Sequence, residues 1–233
     1  MNALHIQESL KKLGSKQKAV NALRFFKTGK GQYGEGDVFI GVTVPEQRRI
    51  AHLYADLNLS EISTLLSSNI HECRLTALII LVAQYRKGSP QKQGQIVKFY
   101  LDHVECINNW DLVDASAAPI LGTHLFTRNR KMLYALARRK NMWERRIAIV
   151  ATHSFIRAGD TKDALLLSAM LLSDQEDLMH KAVGWTLREV GKQSQEALVT
   201  FLRTHVSQMP RTTLRYAIEH FKEQERKQFL RMK

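Results

Sequence analysis

HECRLTALIILVAQY, residues 71–85, places a polar and basic entry ahead of a long apolar run, and the same arrangement returns four times further along the chain. The later copies are NNWDLVDASAAPILG (108–122), WERRIAIVATHSFIR (143–157), LMHKAVGWTLREVGK (178–192) and TTLRYAIEHF (212–221). Aligning Arg74, Leu112, Arg146, Lys181 and Arg215 gives spacings of about 34 to 38 residues, the length of a two-helix unit in an α-solenoid. Small residues within the runs, Ala77, Ala115, Ala148 and Ala182, let neighbouring helices pack closely. Arg74, Arg146, Lys181 and Arg215 recur at equivalent places, so stacked units would align these cations along one concave surface.

Four prolines in 233 residues, little alternation of β-branched residues and many apolar residues three and four apart all point to helix. The expected fold is therefore all-α: a right-handed α-solenoid of HEAT-like two-helix repeats with a concave basic face. Residues 1–233 are expected to form a single domain, long enough to bury a sizeable core. Ser60, with Ser63 in the acidic position of a capping box, marks one helix start; Ser173 and Gly191 mark the start and stop of another. GKGQYGEGD, residues 29–37, has four glycines in nine residues and reads as a loop.

The chain carries 35 Lys and Arg against 22 Asp and Glu, a net charge of +13 and a pI near 9.9. Such an excess points to a polyanionic partner, nucleic acid before an anionic membrane surface. Cys73 and Cys106 make neither a disulfide framework nor a thiolate metal cluster, which fits a reducing cytoplasm. The N-terminus lacks the apolar core and cleavage site of an export signal, and no stretch of about eighteen apolar residues follows, so a soluble, unexported, cytoplasmic protein is expected. No HExxH, paired-cysteine or P-loop motif is present, and no metal or organic cofactor is implied. His71 and His153 are expected to be packed or capping side chains rather than ligands.

In NNWDLVD, Trp110 and Asp114 stand four residues apart on one helix face, an acid where acids are scarce. With Asn108 or Asn109 as N-cap, Asp111 is explained as an ordinary first-turn acid. Asp114, followed by Ala115, Ser116, Ala117 and Ala118, is left reachable across little side-chain bulk. A carboxylate among cations can stabilise the positive charge that develops on a sugar as a glycosidic bond breaks, and can orient the attacking water. At about 4 Å and an effective dielectric near 20, a unit charge contributes about 4 kcal/mol, or roughly three decades of rate. Without an evident general acid, the site suits cationic bases, whose departure needs no protonation. Trp143 and Trp185 fall at comparable places in the repeats, so all three tryptophans are expected to share a surface.

The stretches GVTVPEQRRIA (41–51), NNWDLVD, WERRIAIV, KAVGWTLREVGK (181–192) and MPRTTLRYAIEHF (209–221), in this order and spacing, resemble the AlkC/AlkD superfamily of DNA alkylation repair glycosylases, the AlkD branch more closely. The resemblance covers nearly the whole chain. It implies a HEAT-like solenoid whose basic face grips the backbone of double-stranded DNA and which hydrolyses the N-glycosidic bond of cationic alkylpurines such as 3-methyladenine and 7-methylguanine, without drawing the base into a pocket. By this resemblance Asp114 is the catalytic carboxylate, Trp110 and Trp185 contact the lesion, and Arg146 holds the DNA backbone; Arg188, one turn after Trp185, is a further candidate for a phosphate contact, and Trp143 is weighed as a repeat-interface core residue. The N-terminal part departs from the pattern. Phe25 stands where the branch has a tyrosine, Thr43 where it has a glutamine, and the glycine-rich loop has no counterpart, so Thr43 and Tyr33 are the candidates for backbone contacts there. A monomer free of metal, cofactor and membrane is expected. The alternatives are a non-catalytic HEAT-repeat nucleic-acid-binding module, in which Asp114 is an ordinary helix acid, and a protein-interaction scaffold with core tryptophans.

Overall fold

The computed structural model describes residues 2–233 and is mostly helical, with one long non-helical stretch between residues 26 and 43. Its only β pairing among the described residues is a single parallel bridge between Val38 and Ile70. The chain divides into two compact units, residues 1–116 and 117–233.

The first unit is built around α5 (His71–Lys87), whose residues from His71 to Leu78 are all buried. This first half is buried on every side, polar residues included, and α1 (Ala3–Leu13), α3 (Val44–Leu53), α4 (Leu59–Leu66) and α6 (Pro90–Asp102) pack around the helix. α1 contributes Ala3, Ile6 and Leu10, spaced to form one stripe. α2 (Lys16–Phe25) buries none of its residues. α7 (Trp110–Ala117) follows a 3₁₀ turn at Val104–Cys106. Residues 29–36 are turns and bends, with Gly31 and Gly36 at positive φ, where a side chain would be strained. From there to α3 the backbone is fastened by Glu72: its carboxylate accepts from the N–H groups of Ile40, Gly41 and Val42 at 2.7–3.3 Å.

The second unit opens with a π-helical turn, Ala118–Gly122, containing Pro119. Proline has no N–H to give and crowds the preceding turn, a common cause of such bulges. α8 (Thr123–Leu125), α9 (Lys131–Leu136), α10 (Met142–Ala151), α11 (His153–Arg157) and α12 (Lys162–Met170) lead to the long α13 (Asp177–Gln193), which α10, α12, α14 (Gln195–His205) and α15 (Arg211–Ala217) flank. α16 (Glu223–Arg231) ends the fold. Arg130 and Arg145 stitch helices within this unit, the first to Asp160 and Asp163, the second to Asp174, each at 2.6 Å.

Several local expectations are corrected. α4 starts on Asn58, whose Oδ1 accepts from Glu61 N–H at 2.9 Å, and Ser60 donates to that same amide oxygen. α13 begins at Asp177, beyond Ser173, and runs through Gly191 to Gln193. Ala77, Ala148 and Ala182 are buried as the repeat requires, but Ala115 is exposed. Arg74 and Arg146, both expected among surface cations, are 6% and 5% exposed, and Arg74 is paired internally.

Candidate nucleic-acid interface and active site

Trp110 opens α7, and Asp114 follows one turn later, both half-buried. Asn109 is the cap: its Oδ1 accepts from Trp110 N–H at 2.8 Å, and its carbonyl accepts from Val113 N–H. Beneath the helix, the Tyr100 hydroxyl lies 3.0 Å from Ser116 Oγ. Burial pushes that phenol up, and the nearby Asp114 charge adds to the effect, so it stays protonated.

Trp110 sits in an aromatic cluster. The Phe26 ring stacks on it at 5.3 Å and on Phe39 at 4.8 Å, while Phe25 meets the indole edge-on at 5.6 Å. Phe25 is 63% exposed, so an aromatic surface flanks Trp110 at the end of α2. The Tyr33 hydroxyl lies 3.5 Å from the carbonyl oxygen of Phe25, which brings the glycine-rich loop to the same place. Thr43 is the N-cap of α3; its N–H and hydroxyl both donate to Glu46 Oε2, at 2.8 and 2.6 Å. Those bonds hold the Glu46 carboxyl below its usual range. A phosphate could engage the Thr43 hydroxyl only by exchange with Glu46.

Behind the cluster lies a polar network that no local motif announces. His71 Nδ1 is 3.0 Å from Asp37 Oδ2, and its Nε2 is 2.8 Å from Asp111 Oδ2. Arg74 Nη2 donates to Asp37 Oδ1 at 2.6 Å, and Asn109 Nδ2 donates to Asp37 Oδ2 at 3.2 Å. Asp37, His71, Arg74 and Asn109 are all buried. Burial alone would raise the Asp37 carboxyl, but hydrogen bonds from His71 and Arg74 outweigh it and leave it below its usual value. Burial likewise opposes protonation of His71, and the bonds to Asp111 and Asp37 reverse that, raising the imidazole above its ordinary value. Asp111 is therefore more than a first-turn acid. A cleft of about 270 Å³ adjoins the network, walled by Phe26, Phe39, His71 and Asp111 with Lys18 and Thr43.

In the second unit, Trp185 is half-buried on α13. Its indole N–H donates to Glu189 at 3.2 Å, and His153 meets its ring edge-on at 4.3 Å. His153 is buried against Thr186 Oγ1 at 2.9 Å, and burial pushes it down to about 4, so it is neutral. Arg188 pairs with Glu189 and Glu219. Arg146 on α10 is 5% exposed, with Nη1 donating to the Leu178 carbonyl at 2.7 Å. Trp143 is 8% exposed, as a core residue would be.

Spacing alone singled out Trp110, Asp114 and Trp185. The Asp37–His71–Asp111 set was missed because its members lie 34 and 40 residues apart; the only hints were an acid closing the glycine loop and a histidine opening α5. No cluster of three or more His, Cys, Asp or Glu suited to a metal occurs among the described residues, and no helix there is long and apolar enough to cross a membrane.

The structure is similar to that of a predicted DNA alkylation repair enzyme from Enterococcus faecalis, with a TM-score of 0.70 at 15% identity over 90% of this chain and 97% of that one. It is also similar to AlkD2 from Streptococcus mutans, with a TM-score of 0.54 at 15% identity over 95% of this chain and 97% of that one. At such identities these likenesses concern the fold, that of AlkD-like helical repeat proteins. No curated protein matches the sequence. The sequence model of a family described as "DNA alkylation repair enzyme" matches residues 6–221, nearly the whole chain. The chain accordingly belongs to the DNA alkylation repair enzyme family.

Proposed function

We propose that the protein is a monofunctional DNA glycosylase that acts as a monomer on double-stranded DNA containing cationic alkylated purines of the 3-methyladenine and 7-methylguanine type. The observation that carries this is the half-buried Asp114 one turn after Trp110, on a helix begun by a buried asparagine cap beside an exposed aromatic surface.

Such a lesion is already a good leaving group. As the bond between C1′ and the base nitrogen breaks, its electron pair passes to the base, which departs neutral, and positive charge accumulates on the sugar. The Asp114 carboxylate stabilises that charge and orients a water whose oxygen forms the new bond to C1′; the water proton passes to Asp114 and then to solvent. Trp110 and Trp185 contact the deoxyribose at the lesion. Arg146, Arg188, Thr43 and Tyr33 are assigned to the DNA backbone, where contacts position without reading sequence; for Arg146, 5% exposed, this means turning Nη1 outward from the Leu178 carbonyl. For Arg188 this means exchanging Glu219 for a phosphate. No lysine Schiff base is invoked, so no strand cleavage accompanies base release.

The test is release of free 7-methylguanine and 3-methyladenine from methylated duplex DNA by wild type and Asp114→Asn. A loss of roughly three decades in single-turnover rate is expected on removing the charge, with duplex affinity retained. Absence of base release by folded wild-type protein would leave a nucleic-acid-binding module instead.

A further inference from the structure

We propose that His71 is a positioning residue, held as the imidazolium, that locks the first turn of α7 and with it Trp110 and Asp114 against α5 and the end of the glycine-rich loop. The proposal rests on the glycosylase reading for its effect on rate, though not for its structural content.

The geometry favours the doubly protonated ring, against one opposing contact, Arg74 Nη2 at 3.4 Å from Nδ1. Each ring nitrogen of His71 is within 3.0 Å of a carboxylate oxygen, and an ionised carboxylate can only accept. Asp37 is kept ionised by Arg74 at 2.6 Å. Asp111 stands in the first turn of α7, where its Oδ1 accepts from Leu112 N–H at 2.9 Å and its Oδ2 faces His71 Nε2. With a carboxylate oxygen against each ring nitrogen, both nitrogens donate. A cation at the start of α5 runs against that helix's own dipole, so the two carboxylates offset an unfavourable location.

What the clamp holds is the active helix. Asp111 adjoins Trp110, and Asp37, the other partner of His71, also accepts from Asn109, the α7 cap. The His71 ring itself packs against Phe39 at 4.6 Å and Phe26 at 4.9 Å, and Phe26 stacks on Trp110. Thus a single side chain joins α2, the segment after the loop, α5 and α7. The charged groups around it are Asp37 from that segment, Glu72 and Arg74 from α5, Asp111 from α7 and, across the adjoining cleft, Lys18 from α2. Glu72 is already committed to the backbone of residues 40–42, so it does not substitute for either carboxylate. Neutral His71 could satisfy only one carboxylate and would leave the other facing a lone pair.

Two experiments on the full-length protein test this. In the first, nitrogen-15 NMR of the His71 ring should show both nitrogens protonated at pH 7.5, with titration above the usual histidine range. A single neutral tautomer at pH 7.5 would overturn the proposal, whatever the enzyme does. In the second, single-turnover release of 7-methylguanine is followed against pH for wild type and His71→Gln. Wild type should lose rate on the alkaline side at the NMR midpoint, while His71→Gln should be about tenfold or more slower, lack that alkaline limb and bind DNA within about threefold of wild type. A rate independent of pH through the NMR midpoint would overturn the positioning role even if the variant fails to fold. If wild type releases no base at all, the glycosylase assignment falls instead, and Trp110 emission followed through the same titration decides the structural claim: a change at the NMR midpoint supports it, and a flat response refutes it.

Discussion

Arg74 and Asp37 form an ion pair in which neither side chain is more than 7% exposed, and such pairs behave asymmetrically. Removing one partner strands a buried charge at a cost of about 3–5 kcal/mol, although an apolar pair of the same volume can be neutral. Arg74→Ala should therefore lower Tm by roughly 6–12 °C, taking the low end of that range for a chain of this size; calorimetry showing a shift under about 2 °C would mean that the pair contributes little. The same network sets two pH limits of opposite sign. Asp37 has a lowered folded value, so its contribution is present above the ordinary 3.8 and disappears as pH falls through the lowered value. His71 has a raised value, so its contribution is full below 6.5 and disappears as pH rises through the raised value. Urea midpoints should thus form a plateau between these limits; His71→Gln should flatten the alkaline side and, by removing one of the bonds that lower Asp37, move the acid limit upward. None of this was legible beforehand. A histidine or an aspartate has no sequence signal for its partner when that partner is 34 to 40 residues away, whereas Trp110 and Asp114 share a helix and declare their geometry by spacing.

At the scale of elements, the apolar runs translated directly into α5, α7, α10, α13 and α15, because a repeated unit that cannot bury its face alone leaves a periodic trace. Helix ends were less readable. Ser60 and Asn58 are both competent caps two residues apart, and choosing between them requires knowing where the chain turns. Gly191 resembled a stop signal but lies inside α13, where a Cβ would come within 2.5 Å of Leu198 Cδ2; it is small because α14 approaches there. Gly184 makes the sharper case. A Cβ at this position would meet Tyr216 Cβ at 2.5 Å and the Thr213 carbonyl oxygen at 2.7 Å, both on α15. The flexible end of Leu198 can move aside, but backbone cannot. Gly184→Ala should therefore cost about 1–3 kcal/mol through forced separation of α13 and α15, despite alanine's better helix propensity. Gly191→Ala should be close to neutral, and chemical denaturation of the two variants side by side would check the contrast. Equal destabilisation would mean that α15 yields as readily as a leucine side chain.

For the molecule as a whole, a charge of +13 matters only through the cations left available to a partner. Arg74, Arg130 and Arg145 are committed to Asp37, to Asp160 and Asp163, and to Asp174, and they serve the fold. Periodicity alone could not separate Arg74 from a groove cation, because the repeat register that would align it on a surface also brings it to Asp37. If the remaining excess engages a duplex through six to ten phosphates, affinity for undamaged DNA should fall by about three to five decades between 50 and 200 mM salt. Two variants then distinguish a cation facing DNA from one facing the core. Arg188→Ala should make the dependence of log affinity on log salt shallower by about one, since one counterion fewer is released. Arg74→Ala should leave that slope unchanged while lowering stability, provided that binding is measured well below its reduced Tm. Titrations of a fluorescent duplex at four salt concentrations give both slopes. A wild-type slope shallower than about −3 would be too small for a backbone-gripping surface and would remove the electrostatic basis of the proposed DNA interface.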